Sequence, residues 1–161
     1  MNSVKLPPVA ALELTYACNH KCLFCSCPWE ADSTYRSSEL DTSGWIDIID
    51  TLLGYGVRTF SLTGGEPLTR PDIREIIHYI SQQKAKTVMI SNGRLLDADF
   101  LSFFSTNNAT LCISVPGIET FKDHTGIDNI SHVFSPVLWA LLFFFSGSGC
   151  LACSQLLIHG I

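Results

Sequence analysis

The stretch Cys18-Asn19-His20-Lys21-Cys22-Leu23-Phe24-Cys25 places three thiols within eight residues, directly after an apolar run that predicts a β-strand. Three thiolates on so short a loop can converge on one metal centre, but they supply only three ligands. An iron–sulfur cube needs four. The motif therefore predicts a cluster with one iron whose coordination is completed by something other than the chain.

A structural zinc site is the alternative for these cysteines, with Cys27 as a fourth thiolate. Zinc sites of this kind usually present two separated pairs of ligands, whereas these four cysteines are clustered with no second pair nearby. We favour the cluster and expect Cys27 to line the loop.

A second short motif, Gly64-Gly65-Glu66-Pro67, follows the next predicted strand. The Cys-x3-Cys-x2-Cys spacing, with Asn19 after the first cysteine and Phe24 before the last, together with this motif resembles the signature of the radical S-adenosylmethionine (SAM) enzymes. The resemblance covers about Val9 to Val133. It is specific because two independent motifs occur in the expected order.

The resemblance implies that Cys18, Cys22 and Cys25 bind a [4Fe-4S] cluster whose fourth iron is chelated by SAM. An electron from a donor such as flavodoxin or ferredoxin would then cleave SAM to methionine and a 5′-deoxyadenosyl radical. No catalytic residue is assigned beyond this site. The cofactor-binding residues implied are Phe24, Gly64, Gly65, Glu66, Pro67, Ser91, Asn92 and Ser114.

Individual roles follow from the same resemblance. The loop from Gly64 to Pro67 would hold the SAM amino group, and its glycines let backbone approach a ligand closely. Ser91 and Asn92 resemble the family's polar loop after the third strand, and Ser114 the residue that offers a hydroxyl to the SAM ribose. Serine and asparagine are also common turn formers. Relatives often show an acidic residue close after the serine that corresponds to Ser114, whereas Val115-Pro116-Gly117 follows here.

The strings around the two motifs look most like the SPASM-type branch, which modifies peptides or matures cofactors. We therefore expect a peptide or small-molecule substrate. Members of that branch often carry a cysteine-rich domain after the barrel, and 161 residues leave no room for one.

The rest of the chain predicts an α/β fold. Apolar stripes at helical spacing follow Asp41, Pro71 and Asp97 and alternate with extended runs. Such alternation implies parallel pairing, with functional loops at the C-terminal ends of the strands. We predict a partial parallel (β/α) barrel of TIM type, about four units of the six that the resemblance implies. The predicted strands are Val9 to Thr15, Val57 to Thr63, Lys86 to Ile90 and Thr110 to Val115.

The amino-acid composition indicates which binding partners and which cellular compartment to expect. The net charge of −5 and the scattered basic residues argue against nucleic-acid binding. Seven cysteines, an odd number, and the absence of a signal peptide at the first residues predict a cytoplasmic, reducing environment. Cys112 is expected in the core, and Cys150 and Cys153 are interpreted as buried or incidental thiols.

The chain changes character near residue 133. No Asp, Glu, Lys or Arg occurs from Asn129 to Ile161. We divide the chain into a truncated radical SAM core, 1–133, and an apolar tail, 134–161, and favour a buried or non-native terminal segment over a membrane anchor. An early stop, a shifted reading frame or an incomplete gene would each explain the change. The alternative to an enzyme is thus a truncated, non-catalytic cluster-binding protein that needs a partner chain.

Overall fold

The computed structural model describes residues 6–25, 38–116, 119, 121–128 and 131, together with the backbone of 157–160. Strands and helices alternate along the chain. The strands are β1 (Val9–Thr15), β2 (Thr59–Gly64), β3 (Lys86–Ser91), β4 (Ala109–Val115) and β5 (Leu157–Gly160). The helices are α1 (Thr42–Gly54), α2 (Ile73–Gln82), α3 (Ala98–Thr106) and α4 (Phe121–Thr125), with a 3-10 turn at Pro67–Thr69.

The five strands form one parallel sheet in the order β1-β2-β3-β4-β5. Leu12 pairs with Leu62, Leu62 with Met89, and Met89 with Leu111, so one row of apolar residues crosses four strands. All four are buried. The predicted α/β architecture with parallel strands and alternating helices is confirmed.

The strand β5 was not predicted. It pairs with β4 in parallel, with Cys112 opposite Leu157 and Val115 opposite Gly160. Its four residues are too few to show a periodic pattern, and they lie in a tail without charged side chains, where strand and helix cannot be told apart by alternation. The predicted division at residue 133 falls outside the described residues.

The helices bury the stripes that the sequence predicts. Helix α2 packs four isoleucines into the core, and α3 packs Phe100 and Phe104 there. Asp41 and Asp97 cap α1 and α3 by accepting hydrogen bonds from the Gly44 and Phe100 amides at 2.9 and 2.7 Å. The buried α2 residues are Ile73, Ile76, Ile77 and Ile80.

Helix α2 starts without a capping side chain. The helix begins at Ile73, after Pro71, and the Asp72 carboxylate does not cap it. Asp72 instead accepts hydrogen bonds from Arg70 and Thr42. Its oxygens are thus used in contacts outside the helix.

Because the strands are parallel, their C-terminal ends lie on the same side of the sheet. The cysteine loop follows β1, the Gly64 to Pro67 loop follows β2, and Ser91 to Gly93 follow β3.

Within the described residues, none of the helices has the length and apolar character needed to span a bilayer.

Candidate functional site

The cysteine loop and the loop after β2 are held together through their backbones. Gly65 N donates to Thr15 O at 2.7 Å, and Glu66 N donates to Ala17 O at 2.8 Å. A Cβ at Gly64, whose φ is +118°, would lie 2.5 Å from Thr15 O, and one at Gly65 would overlap Ala17 O. The glycines therefore permit close approach between two segments of the chain, a role that the sequence did not indicate.

The Glu66 carboxylate joins the loop after β2 to the loop after β3. It is fully buried. Oε1 accepts hydrogen bonds from Leu68 N at 3.0 Å and Ser91 Oγ at 2.9 Å, and Oε2 accepts one from Asn92 N at 2.8 Å. Burial raises the pKa of Glu66, and the three hydrogen bonds oppose that rise. The contact of Glu66 with a SAM amino group stays a prediction.

Asn92 joins the loop after β3 to the cysteine loop. Its Nδ2 donates to Asn19 Oδ1 at 2.7 Å, while its Oδ1 accepts from Arg94 N at 3.0 Å. Arg94 Nη1 also donates to Asn19 O at 3.1 Å. Three loops that are far apart in sequence are thereby cross-linked around the cysteines.

The three predicted ligands are reduced thiols, with Cys18 and Cys22 partly buried and Cys25 exposed. Burial raises the pKa of Cys18, an effect that the His20 backbone amide, 3.4 Å from the sulfur, opposes. Burial, followed by the proximity of Cys18 and Cys25, raises the pKa of Cys22 to about 11. Metal binding would have to release the protons of these thiols.

A single ion and a cluster place different demands on the spacing of the sulfurs. Tetrahedral zinc at about 2.3 Å from each sulfur requires sulfurs within roughly 4 Å of one another. In the described residues, no three Cys, His, Asp or Glu side chains are grouped to hold one ion, and Cys27 lies outside those residues. A cube distributes its ligands over separate irons. Asn19 Nδ2 is buried without a hydrogen-bond partner in the described structure, so it is a donor suited to an acceptor beside Cys18.

Helix α4 holds the tip of the cysteine loop, which the sequence did not predict. Leu23 N donates to His124 O at 3.0 Å. The His124 and Phe24 rings pack edge to face, with 5.6 Å between their centroids. The Phe121 and His20 rings pack in the same way, with 6.2 Å between their centroids. Phe24 remains 52% exposed, and its contact with a cofactor stays a prediction.

A polar network fixes the start of the cysteine loop at the end of β1. Glu39 accepts hydrogen bonds from Tyr16 N at 2.7 Å and Thr15 Oγ1 at 3.0 Å. Arg70 Nη1 donates a hydrogen bond to Leu14 O at 2.9 Å, and the same nitrogen lies 3.9 Å from Glu39 Oε2. The sequence offered one signal, an arginine directly after the Gly64 to Thr69 segment, and no signal for Glu39.

The remaining predicted residues lie apart from this network. Ser114 is exposed on β4, and no hydrogen bond joins it to the three loops in the described part of the chain. Cys112 is only partly buried, because it lies on β4 between the buried Leu111 and Ile113 and faces away from them. Cys150 and Cys153 lie outside the described residues.

The chain is similar in sequence to known cyclases. The chain is 41% identical over 87 residues to the PqqA peptide cyclase of Methylorubrum populi, which covers 53% of this chain and 22% of that protein. It is 30% identical over 133 residues to the probable GTP 3′,8-cyclase of Saccharolobus solfataricus, which covers 81% of this chain and 42% of that protein. The chain thus spans less than half the length of these relatives.

Solved structures share the fold. Streptococcus suis SuiB bound to precursor peptide SuiA superposes with a TM-score of 0.75 at 18% identity, over 98% of this chain and 33% of that one. Native anSMEcpe with bound AdoMet superposes with a TM-score of 0.64 at 18% identity, over 94% of this chain and 42% of that one. The model of the radical SAM superfamily matches residues 12–138. The family that the sequence predicts is thereby confirmed, and the chain belongs to the radical SAM superfamily.

Proposed function

We propose that this chain binds a [4Fe-4S] cluster through Cys18, Cys22 and Cys25, and SAM at the iron that the protein leaves free. The observation that carries the proposal is the cross-linking of three motif loops around the cysteines by Glu66 and Asn92. When bound, the two cofactors would supply one-electron reductive cleavage of SAM to methionine and a 5′-deoxyadenosyl radical. We expect the electron to come from a flavodoxin or ferredoxin.

The chain's own residues hold and orient this pair. Gly64 and Gly65 bring the loop after β2 against the cysteine loop. Buried Glu66 fixes the loop after β3. These contacts would fix the backbone around the SAM position before SAM binds. Less conformational entropy would then be lost on binding. Phe24 offers a partly exposed ring beside the last cysteine.

The substrate class that we favour is a peptide. Of the two relatives named above, the one with the higher identity is a PqqA peptide cyclase, and SuiB was solved with its precursor peptide. A small molecule is the alternative, since another relative is a probable GTP 3′,8-cyclase. These names apply to proteins much longer than this chain, so the substrate assignment depends on the shared core.

A second candidate is a cluster-binding chain that cannot guide a radical by itself. The described sheet has five strands, and β1 and β5 are its outer strands. An open edge leaves the substrate side accessible to water, where a carbon radical is quenched rather than directed. This candidate would need a partner chain to complete the barrel.

An anaerobic experiment tests the proposal. The chain is reconstituted with iron and sulfide, reduced with dithionite, and incubated with SAM. We expect a [4Fe-4S] absorption and EPR signal and 5′-deoxyadenosine, both lost in Cys22→Ala and both kept in Cys112→Ala. A cluster without 5′-deoxyadenosine would favour the second candidate. A colourless protein holding stoichiometric zinc would refute both.

A further inference from the structure

The side-chain amide of Asn92 faces two acceptors on the cysteine loop. Its Nδ2 lies 2.7 Å from Asn19 Oδ1 and 4.0 Å from Cys18 Sγ. An asparagine amide has two N–H groups, so one can serve each acceptor. Cys18 Sγ also accepts the backbone N–H of His20 at 3.4 Å. Two donors therefore approach the sulfur of one predicted cluster ligand.

The orientation of the Asn92 amide is fixed from its other side. Its Oδ1 accepts from Arg94 N, and its backbone N donates to Glu66 Oε2. Because an amide nitrogen cannot replace the oxygen as acceptor for the Arg94 N–H, these bonds keep Nδ2 turned toward Cys18. Glu66, fully buried, anchors the arrangement.

We propose that Asn92 is a positioning residue that hydrogen-bonds the Cys18 thiolate and thereby raises the reduction potential of the cluster. This inference deepens the proposed function and rests on it. Reduction adds one electron to the cluster, and the added negative charge spreads onto the ligand sulfurs. A donor at such a sulfur stabilises the reduced state more than the oxidised one, and hydrogen bonds to sulfur are a recognised determinant of cluster potential.

The test is a reduction potential measured without turnover. The full chain is reconstituted anaerobically and titrated with dithionite in the absence of SAM, and the reduced cluster is followed by EPR. Asn92→Ala should shift the midpoint to lower potential. Asn92→Asp, which keeps the shape but turns an acceptor toward the sulfur, should shift it in the same direction and further.

Leu95→Ala is the matched control, because Leu95 lies on the same stretch after β3 and is 47% exposed. Its midpoint should equal that of the wild type. Midpoints of both Asn92 variants equal to the wild-type value would overturn the inference while leaving the proposed function intact. Failure of the wild type to form any [4Fe-4S] cluster would overturn the proposed function and this inference together.

Should neither Asn92 variant take up a cluster, a spectroscopic measurement decides. The Asn19→Asp variant, labelled with 15N-asparagine, keeps an acceptor for Asn92 and leaves Asn92 as the labelled side chain facing Cys18. ENDOR of the reduced cluster should show a coupled amide nitrogen with exchangeable protons. Absence of that coupling would overturn the inference.

Discussion

Arg70 and Asp72 form an ion pair with 2.6 Å between Nη2 and Oδ2, and the same guanidinium donates to Leu14 O at the end of β1. The Arg70 side chain is only 9% exposed. A single residue after the 3-10 turn therefore holds the strand from which the cysteine loop departs.

Replacing Arg70 by Met should destabilise the fold by about 2 kcal/mol, between the values typical of exposed and buried ion pairs. The substitution leaves Asp72 partly buried without its cation and Leu14 O without its donor. The free energy of unfolding from urea titration measures the effect. Lys122→Met removes an ion pair whose partners are both exposed and should change little. Equal losses in the two variants would contradict the role given to Arg70.

The same pair predicts a dependence of stability on pH. Partial burial raises the pKa of Asp72, but the Arg70 and Thr42 hydrogen bonds and the Arg70 charge together lower it below its ordinary value. A carboxyl with a lowered folded-state pKa stabilises the fold above its unfolded pKa of about 3.9, and that contribution is lost as pH falls through the folded value.

Asp72→Asn should therefore be less stable than the wild type by a constant amount above about pH 5, and the gap should narrow below about pH 4. Urea titrations of both proteins from about pH 3 to pH 7 measure this gap. A gap that stays constant over the whole range would show that the Asp72 charge contributes nothing.

Gly65→Ala should be destabilising by about 1 to 3 kcal/mol, the range typical of overpacking. The added Cβ would overlap the Ala17 carbonyl oxygen, which is backbone and cannot rotate away. Thermal unfolding and iron content after reconstitution measure the damage to the fold and to the cysteine loop.

Gly54→Ala provides the matched control. Gly54 is the last residue of α1, and nothing lies within 4 Å of its added Cβ. This variant should be neutral or stabilised by up to about 1 kcal/mol, because alanine has the higher helix propensity. If Gly65→Ala behaved like Gly54→Ala, the close contact of the two loops would be refuted.

Parallel strands and motif order sufficed to predict the fold and the gathering of the three loops. Apolar periodicity marked α1, α2 and α3, and strand ends marked the loops. The links between loops were beyond the sequence, because Asn19 and Asn92 are 73 residues apart and a lone asparagine carries no pattern. Glu39 and Arg70 were missed for the same reason, since a single charge does not reveal its partner. The hydrogen bond between α4 and the cysteine loop uses the backbone oxygen of His124. Every residue type provides such an oxygen, so the sequence carries no signal for this contact.

The buried Glu66 carboxylate gives the last prediction. Glu66→Gln replaces one acceptor oxygen by an amide group, so at least one of the donors Leu68 N, Ser91 Oγ and Asn92 N faces another donor. A buried unsatisfied donor costs about 1 to 3 kcal/mol. The free energy of unfolding should fall by that amount at about pH 4, where protonation relieves the wild-type side chain of its burial cost. Because burial raises the pKa of Glu66, its ionisation opposes folding as pH rises above the unfolded value of about 4.3, so part of the loss is offset at neutral pH.

Glu75→Gln is the control for this substitution, because Glu75 is exposed in the first turn of α2. Its effect should be limited to a few tenths of a kcal/mol from the helix dipole. Urea titrations at about pH 4 and pH 7 separate the two parts of the Glu66 effect, since the destabilisation by Glu66→Gln should be larger at the lower pH, where the wild-type side chain is protonated at no cost to folding. A loss that is larger at neutral pH would mean that the ionised carboxylate stabilises the junction of the loops, and that its hydrogen bonds outweigh its burial.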